Sequence, residues 1–247
     1  MGVGDFTDQA GVYGRARPNY PKELIDLLIA DAGLQVGDRV ADLGAGTGIF
    51  TQELVKRGFA VTAVEPNERM RSEANLPSVV WIDGSFEATH LPDESQDWAV
   101  AAQAFHWADP EKALPEIRRI IKSRRLFTVL WNVKVMEGDP ILQWTAGAVQ
   151  RHVPGFREHY DGKDWRPILE ATGDFDFVRM RTVRHIVPMS PLRFVDLWRS
   201  HHWLKQLSGP VAAAALIAEL EKKLHAEEIR EIVLPYDCHS WSARRRG

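Results

Sequence analysis

Apolar and polar residues group along the chain into short segments that predict strands and helices in alternation. The segment 38–50 is apolar at Val40, Ala41 and Leu43, passes through a glycine-rich stretch, and becomes apolar again at helical spacing from Phe50. This pattern predicts a buried strand, a tight loop and the start of a helix. The rest of the chain is organised around this strand–loop–helix unit.

Further apolar segments continue the alternation and predict an open α/β sheet. Predicted strands cover residues 60–64, 79–82, 97–102, 126–133, 175–187 and 229–241. Predicted helices cover residues 21–33, 50–58, 67–74 and 110–121, two pieces of 139–172, and 191–228. The last helices therefore form an insertion between the last two predicted strands.

Residues with capping side chains mark two of the predicted helix starts. Thr47 is expected to cap the helix after the glycines, because its hydroxyl can accept a backbone N–H there. Asp109 precedes Pro110, which is the usual order of an N-cap and a first helical residue. Pro115 lies within the same helical pattern and is expected to kink that helix or to delay its start.

The glycine-rich stretch is typical of a turn beside a ligand. Gly44, Gly46 and Gly48 let the backbone approach a bound molecule, and the helix N-terminus that follows attracts polar or anionic groups. Glu65 ends the next strand, about 20 residues beyond the first glycine, where a βαβ unit places a carboxylate on a ribose diol. Dinucleotide folds favour G-x-G-x-x-G, whereas here the third glycine comes one residue early and Ile49 follows it. The spacing therefore disfavours nicotinamide, and a purely structural glycine turn is the other alternative.

The segment Asp42-Leu-Gly-Ala-Gly-Thr-Gly48, followed by Glu65-Pro66-Asn67, resembles the first two motifs of class I S-adenosylmethionine-dependent methyltransferases. The resemblance implies S-adenosylmethionine as the cofactor. It also implies a Rossmann-like α/β fold, with a mostly parallel sheet, an antiparallel last strand and a helical lid insertion. The resemblance extends over residues 13–135, and beyond them only the order of the elements agrees.

The same resemblance implies a domain organisation and a set of cofactor contacts. The implied organisation is one methyltransferase domain over 1–247, with a cover and first helix over 1–34, a cofactor-binding core over 35–135 and a lid over 188–230. The implied cofactor contacts are Tyr13, Arg17, Asp42, Gly44, Ala45, Gly46, Glu65, Pro66, Asn67, Met70, Gly84, Ser85, Phe86, Glu87, Gln103 and Ala104.

Two strings are similar to the branch of this family that includes trans-aconitate methyltransferases. One is Tyr-x-x-x-Arg-Pro-x-Tyr-Pro over residues 13–21, which in that branch packs over the cofactor, and the other is His106-Trp107. A surface arm with stray aromatic residues is the alternative for the first string. One string departs from the family, because Lys-Ser-Arg-Arg at 122–125 stands where a Lys-Pro-Gly-Gly turn is usual. That departure puts the local turn in doubt, since arginine tolerates positive φ poorly.

His106 is the catalytic candidate, because an imidazole titrates near neutral pH and can remove a proton from a hydroxyl or amine acceptor. The alternative is a structural histidine bonded to the backbone. We expect a small-molecule oxygen acceptor, either a hydroxyl or a carboxylate, and a carboxylate needs no base. Arg15, Arg17 and Arg199 are candidates to clamp a carboxylate, that of the acceptor or that of the cofactor's methionine part. The sequence leaves both assignments open.

Clusters of tryptophan and of histidine give weaker indications of an acceptor pocket and of a metal site. Trp131, Trp198 and Trp203 are candidates to line an apolar acceptor pocket or, alternatively, to form a core of their own. His201 and His202 are adjacent, so their rings would diverge on a helix, and the sequence predicts no metal site.

Composition narrows the class of protein. The net charge of the 247 residues is -3, and only the terminal stretch 244–246, expected to be a solvated end, concentrates arginine, so no nucleic-acid partner is expected. The single cysteine, Cys238, excludes an internal disulfide framework and suits the cytoplasm. The chain has no apolar run of about 20 residues, so no membrane partner is expected either.

The partner expected is a small-molecule acceptor, and the chain is expected to be a monomer or a homodimer. A non-catalytic module that binds S-adenosylmethionine or a partner is the main alternative function, followed by a nicotinamide oxidoreductase. A nucleic-acid methyltransferase is disfavoured because a base-flipping tetrapeptide is missing from the sequence.

Overall fold

The computed structural model describes residues 16–156 and 163–247, except for the side chains of residues 202, 203 and 205. Numbered in chain order within these ranges, the helices are α1 (Lys22–Ala32), α2 (Ile49–Lys56), α3 (Glu68–Glu73), α4 (Pro110–Ile120), α5 (Pro140–His152), α6 (Arg166–Glu170), α7 (Pro191–Arg199) and α8 (His202–Ala226). The strands are β1 (Arg39–Leu43), β2 (Ala60–Val64), β3 (Val80–Ile82), β4 (Gln96–Ala102), β5 (Ile121–Lys134), β6 (Phe175–Met189) and β7 (Ile232–Arg245). A short 3-10 helix, Phe105–Trp107, follows β4.

The strands form one seven-stranded sheet in the order β3-β2-β1-β4-β5-β7-β6. Neighbouring strands from β3 to β5 pair in parallel, and the sheet as a whole is mostly parallel with an antiparallel strand. The predicted α/β fold class is therefore confirmed. The strand order reverses between β1 and β4, and in open α/β sheets ligands bind at the carboxyl ends of the strands at such a point.

The register of the central strands brings distant residues to one edge of the sheet. Leu43 at the end of β1 pairs with Val64 at the end of β2, so the glycine turn and Glu65 leave the sheet side by side. Asp42 pairs with Val100 of β4, so the residues that follow β4 reach the same edge.

The helix starts follow the predicted caps in one case and not in another. The N-cap of α2 is Gly48, at φ 81° and without a side-chain cap, so the prediction that Thr47 caps this helix is wrong. Gly48, in a left-handed conformation, ends the turn, so the N-cap lies one residue after the predicted cap Thr47. Asp109 does cap α4, accepting the N–H of Glu111. The helix begins at Pro110 and runs through Pro115, whose ring therefore does not delay its start.

The strand β5 begins earlier than predicted. It starts at Ile121, which pairs with Gln96, and the register then shifts so that Trp98 pairs with Leu126. Arg124 lies in the intervening bulge at φ 62°. The segment that departs from the family pattern thus adopts a left-handed turn within the strand, although no glycine is present.

The arginine-rich end is not the solvated tail that the sequence predicts. Arg245 belongs to β7 and is buried, and its guanidinium donates to the carbonyl of Ile121 and to Glu94, the latter at 2.8 Å. Arg244 forms an ion pair with Asp176 at 3.2 Å. The prediction is wrong because these arginines are partnered by residues far away in the sequence.

The chain divides into two compact units, with boundaries inside β5, β6 and β7. The first unit comprises residues 1–18, 133–161 and 184–237, and the second comprises residues 19–132, 162–183 and 238–247. The described part of the first unit has a core that includes Trp198 and is formed by residues of α5, α7 and α8 together with residues of β6 and β7. The second has its own core, with Leu24, Phe50 and Trp98. A single methyltransferase domain with a cover and a lid stays a prediction.

Within the described ranges, no helix has both the length and the apolar character needed to cross a bilayer.

Candidate functional site

The glycine turn is anchored on the end of β2. The N–H groups of Gly44 and Ala45 donate to the carbonyl of Val64 at 2.8 and 3.2 Å. Gly44 has φ 67°, and a Cβ atom there would lie 2.6 Å from the Cβ of Ala104. A side chain at this position is therefore excluded both by backbone conformation and by packing.

Glu65 ties the turn to the following loop. Its two carboxylate oxygens accept the N–H groups of Gly46 and Asn67, each at 2.9 Å. The side chain is largely buried, and burial raises the pKa of this carboxyl, an effect that the two N–H groups oppose. Each carboxylate oxygen has a second lone-pair direction, so Glu65 can still accept hydrogen bonds from a diol.

Asp42 is the most deeply buried ionisable group beside the turn, with 1% of its surface exposed. One oxygen accepts the hydroxyl of Thr51 at 2.6 Å. Among the described residues the other oxygen has no hydrogen-bond partner. Burial, together with the charge of nearby Glu65, raises the pKa of Asp42 to about 7, although the Thr51 bond opposes the shift.

Two more buried polar atoms beside the turn have no partner in the part of the chain that the structure describes. They are the hydroxyl of Thr47 and the side-chain oxygen of Gln103. Gln103 has φ 57°, its N–H donates to the carbonyl of Leu130 at 2.8 Å, and its amide nitrogen donates to the carbonyl of Asn132 at 3.3 Å. Unpartnered buried polar atoms are costly, and a cluster of them indicates the place of a ligand.

The loop after β3 forms one side of this site. Phe86 is buried, and its ring would lie 3.0 Å from a Cβ atom at Gly44. Ser85 closes the loop, exchanging backbone hydrogen bonds with Ala88 at 3.0 and 3.3 Å and accepting the N–H of Glu87 on its hydroxyl. Glu87 in turn accepts the N–H of Asp109 at 2.9 Å, so this carboxylate has a structural partner.

Two further candidate residues, Asn67 and Met70, belong to the start of α3. Asn67 caps this helix, its side-chain oxygen accepting the N–H groups of Arg69 and Met70 at 3.0 and 3.1 Å. Met70 is buried, and its methyl group would lie 3.3 Å from a Cβ atom at Gly46. Met70 thus borders the same glycine turn as Glu65.

His106 is held in the 3-10 helix after β4. The indole N–H of Trp131 donates to its Nδ1 at 3.4 Å. A neutral imidazole that accepts at Nδ1 carries its proton on Nε2, and that atom is then a donor. Trp131 itself is buried and stacks on Trp165, with ring centroids 4.3 Å apart.

Two of the arginines considered as clamps lie in the first unit. Arg17 belongs to the first unit, where its guanidinium donates to the hydroxyl and carbonyl of Ser200 at 3.1 and 3.4 Å. Arg199 lies in the same unit and pairs with Asp196 at 2.8 Å and with Glu221. Tyr13 and Arg15 lie outside the described residues. The roles assigned to these residues stay predictions.

The other tryptophan and histidine candidates are not placed at the glycine turn by any contact among the described residues. Trp198 packs in the core of the first unit, and nothing is described of the Trp203 side chain. The ring of His201 is within hydrogen-bond distance of the Leu197 carbonyl and of Lys134. No group of three metal-ligating side chains is found among the described residues.

The sequence missed Thr51 as a residue of the site. The only signal was a hydroxyl in the first turn of the helix after the glycines. The sequence does not show that it meets Asp42, because many residues of that helix are polar.

Comparison with known proteins identifies the family. Residues 41–128 match the family model described as a methyltransferase domain. An uncharacterized methyltransferase of Mycobacterium tuberculosis is 42% identical over 141 residues, which are 56% of this chain and 55% of that protein. An uncharacterized methyltransferase of Bacillus licheniformis is 37% identical over 152 residues, 54% of this chain and 70% of that protein.

A solved structure shares the fold. A protein of Anaeromyxobacter dehalogenans, provisionally described as a type II methyltransferase, superposes with a TM-score of 0.70 at 23% identity, covering 92% of this chain and 97% of that one. The chain spans about half the length of the first curated relatives that it matches.

Proposed function

Since the chain belongs to the family of class I S-adenosylmethionine-dependent methyltransferases, we propose that it transfers a methyl group from S-adenosylmethionine to a small molecule. The acceptor atom proposed is an oxygen, and a carboxylate is favoured over a hydroxyl. The other expectations, a cytoplasmic monomer or homodimer without a nucleic-acid or membrane partner, belong to the same proposal.

The observation that carries the proposal is the pair of buried carboxylates at the glycine turn. Glu65 has acceptor capacity for the two ribose hydroxyls, and Asp42 has an unpartnered oxygen that suits the ammonium of the methionine part. Phe86 offers an apolar ring for the adenine. When bound, S-adenosylmethionine supplies a methyl group on a sulfonium centre.

The residues present fit this cofactor for a second reason. Gly44 and Gly48 are left-handed, and a Cβ atom at either would lie within 3 Å of a neighbouring side-chain atom. Only glycine suits these two positions, so neither places a side chain between the backbone of the turn and a ligand. Methyl transfer depends mainly on positioning and on exclusion of water, so the protein needs few catalytic groups.

The hydrogen bond from Trp131 to His106 supports the carboxylate acceptor. To remove a proton with Nε2, a neutral His106 would need its own proton on Nδ1, which would face the indole N–H of Trp131. With the proton on Nε2 instead, His106 donates a hydrogen bond to an oxygen of the acceptor. An ionised carboxylate can accept that bond and needs no base.

The test begins with cofactor binding. Calorimetry with S-adenosylhomocysteine should show binding to the intact chain, and Glu65→Ala should weaken it by about 1.5–3 kcal/mol, because charge-assisted hydrogen bonds to the ribose are lost. Glu68→Ala, an exposed carboxylate on α3, is the matched control and should bind as the wild type does. NADH binding without S-adenosylhomocysteine binding would end the proposal.

The second part of the test separates an enzyme from a non-catalytic module. A panel of small carboxylates and alcohols is screened for thermal shift in the presence of S-adenosylhomocysteine, and the positives are incubated with S-adenosylmethionine. Methyl ester formation supports the proposal. Methylation of alcohols alone would assign the acceptor to hydroxyls, and binding without turnover would favour the module.

A further inference from the structure

A basic cavity lies in the second unit, at the opposite edge of the sheet from the glycine turn. Its volume is about 160 Å³, and its lining includes Asp31, Arg124, Phe177, Arg179, Ser242 and Arg244. These side chains come from the end of α1, the start of β5 and β6, and the end of β7. Nothing in the proposed methyl transfer uses them.

Arg124 is held in a conformation that arginine disfavours. Its φ is 62°, a region in which an L-residue other than glycine or asparagine is strained. Its side chain is exposed and makes no hydrogen bond or ion pair with the described residues. The fold gains nothing from this guanidinium, and glycine would suit the backbone better.

Phe177 combines strain with exposure in the same cavity. Its φ is 52°, and 59% of its surface is exposed, which is unusual for a large apolar residue. Two guanidinium groups lie over its ring, that of Arg244 at 5.0 Å from the ring centroid and that of Arg179 at 5.8 Å. The ring therefore serves as a platform that holds two cations at the cavity.

The arginines keep donors available for a ligand. Asp31 pairs with Arg179 at 2.6 Å and with Arg181, whose hydrogen bond is the main reason why the pKa of Asp31 is lowered. Arg244 pairs with Asp176 through Nε at 3.2 Å. A guanidinium has five N–H donors, so one ion pair leaves most of them unused.

We propose that this cavity binds a phosphoryl group, as inorganic phosphate or as a small phosphate monoester. Three arginines on three different strands line this cavity, and a tetrahedral oxyanion has enough oxygens to accept hydrogen bonds from all three. A planar carboxylate has only two oxygens. The cavity volume of about 160 Å³ is large enough for a phosphate group.

The test uses the intact chain without S-adenosylmethionine, so that its result does not depend on the proposed methyl transfer. Calorimetry with inorganic phosphate should show one saturable site. Arg124→Gly should bind phosphate about tenfold more weakly, because it removes a bidentate donor while keeping a residue suited to the turn. Arg124→Lys, which keeps the charge but not the fork, should lose less.

Two controls define the outcome. Arg230→Ala removes an exposed arginine of the first unit and should leave phosphate binding unchanged. Phe177→Leu keeps apolar bulk but removes the ring platform, and should weaken binding several-fold. Glycerol phosphate binding more tightly than inorganic phosphate would support a monoester as the ligand.

Three results of the titrations with small anions would overturn the proposal. These are the lack of saturable phosphate binding, equal affinity for acetate and phosphate, or an equal loss in Arg124→Gly and Arg230→Ala. Preferential binding of a short oligonucleotide, lost in Arg124→Gly, would also overturn it and assign the cavity to nucleic acid.

Discussion

Asp42 is a residue at which stability and ligand binding oppose each other. A carboxyl with a pKa of about 7 in the folded chain, against an ordinary value near 3.8, binds its proton more tightly when folded. Its favourable contribution to folding is therefore complete below pH 3.8 and is lost as the pH rises through 7. At neutral and higher pH the ligand-free protein carries a buried, half-satisfied carboxylate.

Asp42→Asn should remove that pH dependence. The variant keeps an acceptor for Thr51 and, at pH 8, should be about 1–2 kcal/mol more stable than the wild type without ligand. At pH 5 the difference should shrink, because wild-type Asp42 is then protonated. Urea unfolding at both pH values checks this, and identical pH dependence of the two proteins would contradict it. Affinity for S-adenosylhomocysteine should fall in the same variant.

His106 gives a kinetic prediction that depends on its hydrogen bond from Trp131. With a carboxylate acceptor, His106→Ala should raise KM about tenfold and change kcat little, because a donor to the acceptor is lost but no proton transfer is. A hydroxyl acceptor would instead lower kcat by about 10²- to 10⁴-fold. Steady-state kinetics distinguishes the two. Unchanged kcat, KM and pH profile would remove His106 from the site.

At the scale of elements, the local signals predicted the cofactor half of the sheet well. The strand at 60–64 has the bounds of β2, and α2, α3 and α4 lie within two residues of the predicted ranges. These elements carry their own caps, glycines and apolar periodicity. Asp42, Glu65 and Ala104 reach one edge of the sheet because the parallel register aligns the carboxyl ends of β1, β2 and β4.

What the sequence could not predict depends on contacts between distant residues. The hydroxyl of Thr51 meets Asp42, the indole of Trp131 meets His106, and Arg245 finds Glu94. None of these pairs lies within the span of a periodic pattern. The bulge at Arg124 could not be predicted for a different reason. Its left-handed position is occupied by arginine, a residue type that usually avoids positive φ.

The bulge in β5 leads to a stability prediction. Arg124→Gly should raise the free energy of unfolding by about 0.5–1 kcal/mol, because the strain at φ 62° is relieved and no hydrogen bond or ion pair with a described residue is lost. Arg125→Gly is the contrasting control. Its guanidinium donates to the carbonyl of Ala32 at 3.2 Å and to Asp97 at 3.3 Å, so this variant should be less stable than the wild type.

Chemical denaturation of both variants measures these changes in the free energy of unfolding. A loss of stability in Arg124→Gly comparable with that in Arg125→Gly would show that the arginine stabilises the bulge.

At the scale of the whole molecule, the prediction concerns the segments proposed as cover and lid. Residues 1–20 precede the first strand, and residues 191–228 lie between β6 and β7. Hydrogen exchange in both should slow when S-adenosylhomocysteine and an acceptor are added, because ligands order a segment that covers them. The buried face of α1 serves as the reference and should not change. Equal protection with and without ligands would mean that these segments do not close on the site.

The close approach of Gly44 to Ala104 limits how this chain can change in evolution. The two positions lie far apart in sequence, yet a methyl group at residue 44 would stand 2.6 Å from the one at residue 104. Loss of the methyl group at 104 would remove only one of the obstacles, because the φ of 67° and the Phe86 ring at 3.0 Å would still oppose a side chain at 44. Libraries of single substitutions will therefore report residue 44 as immutable, and a library built on Ala104→Gly should recover little tolerance there.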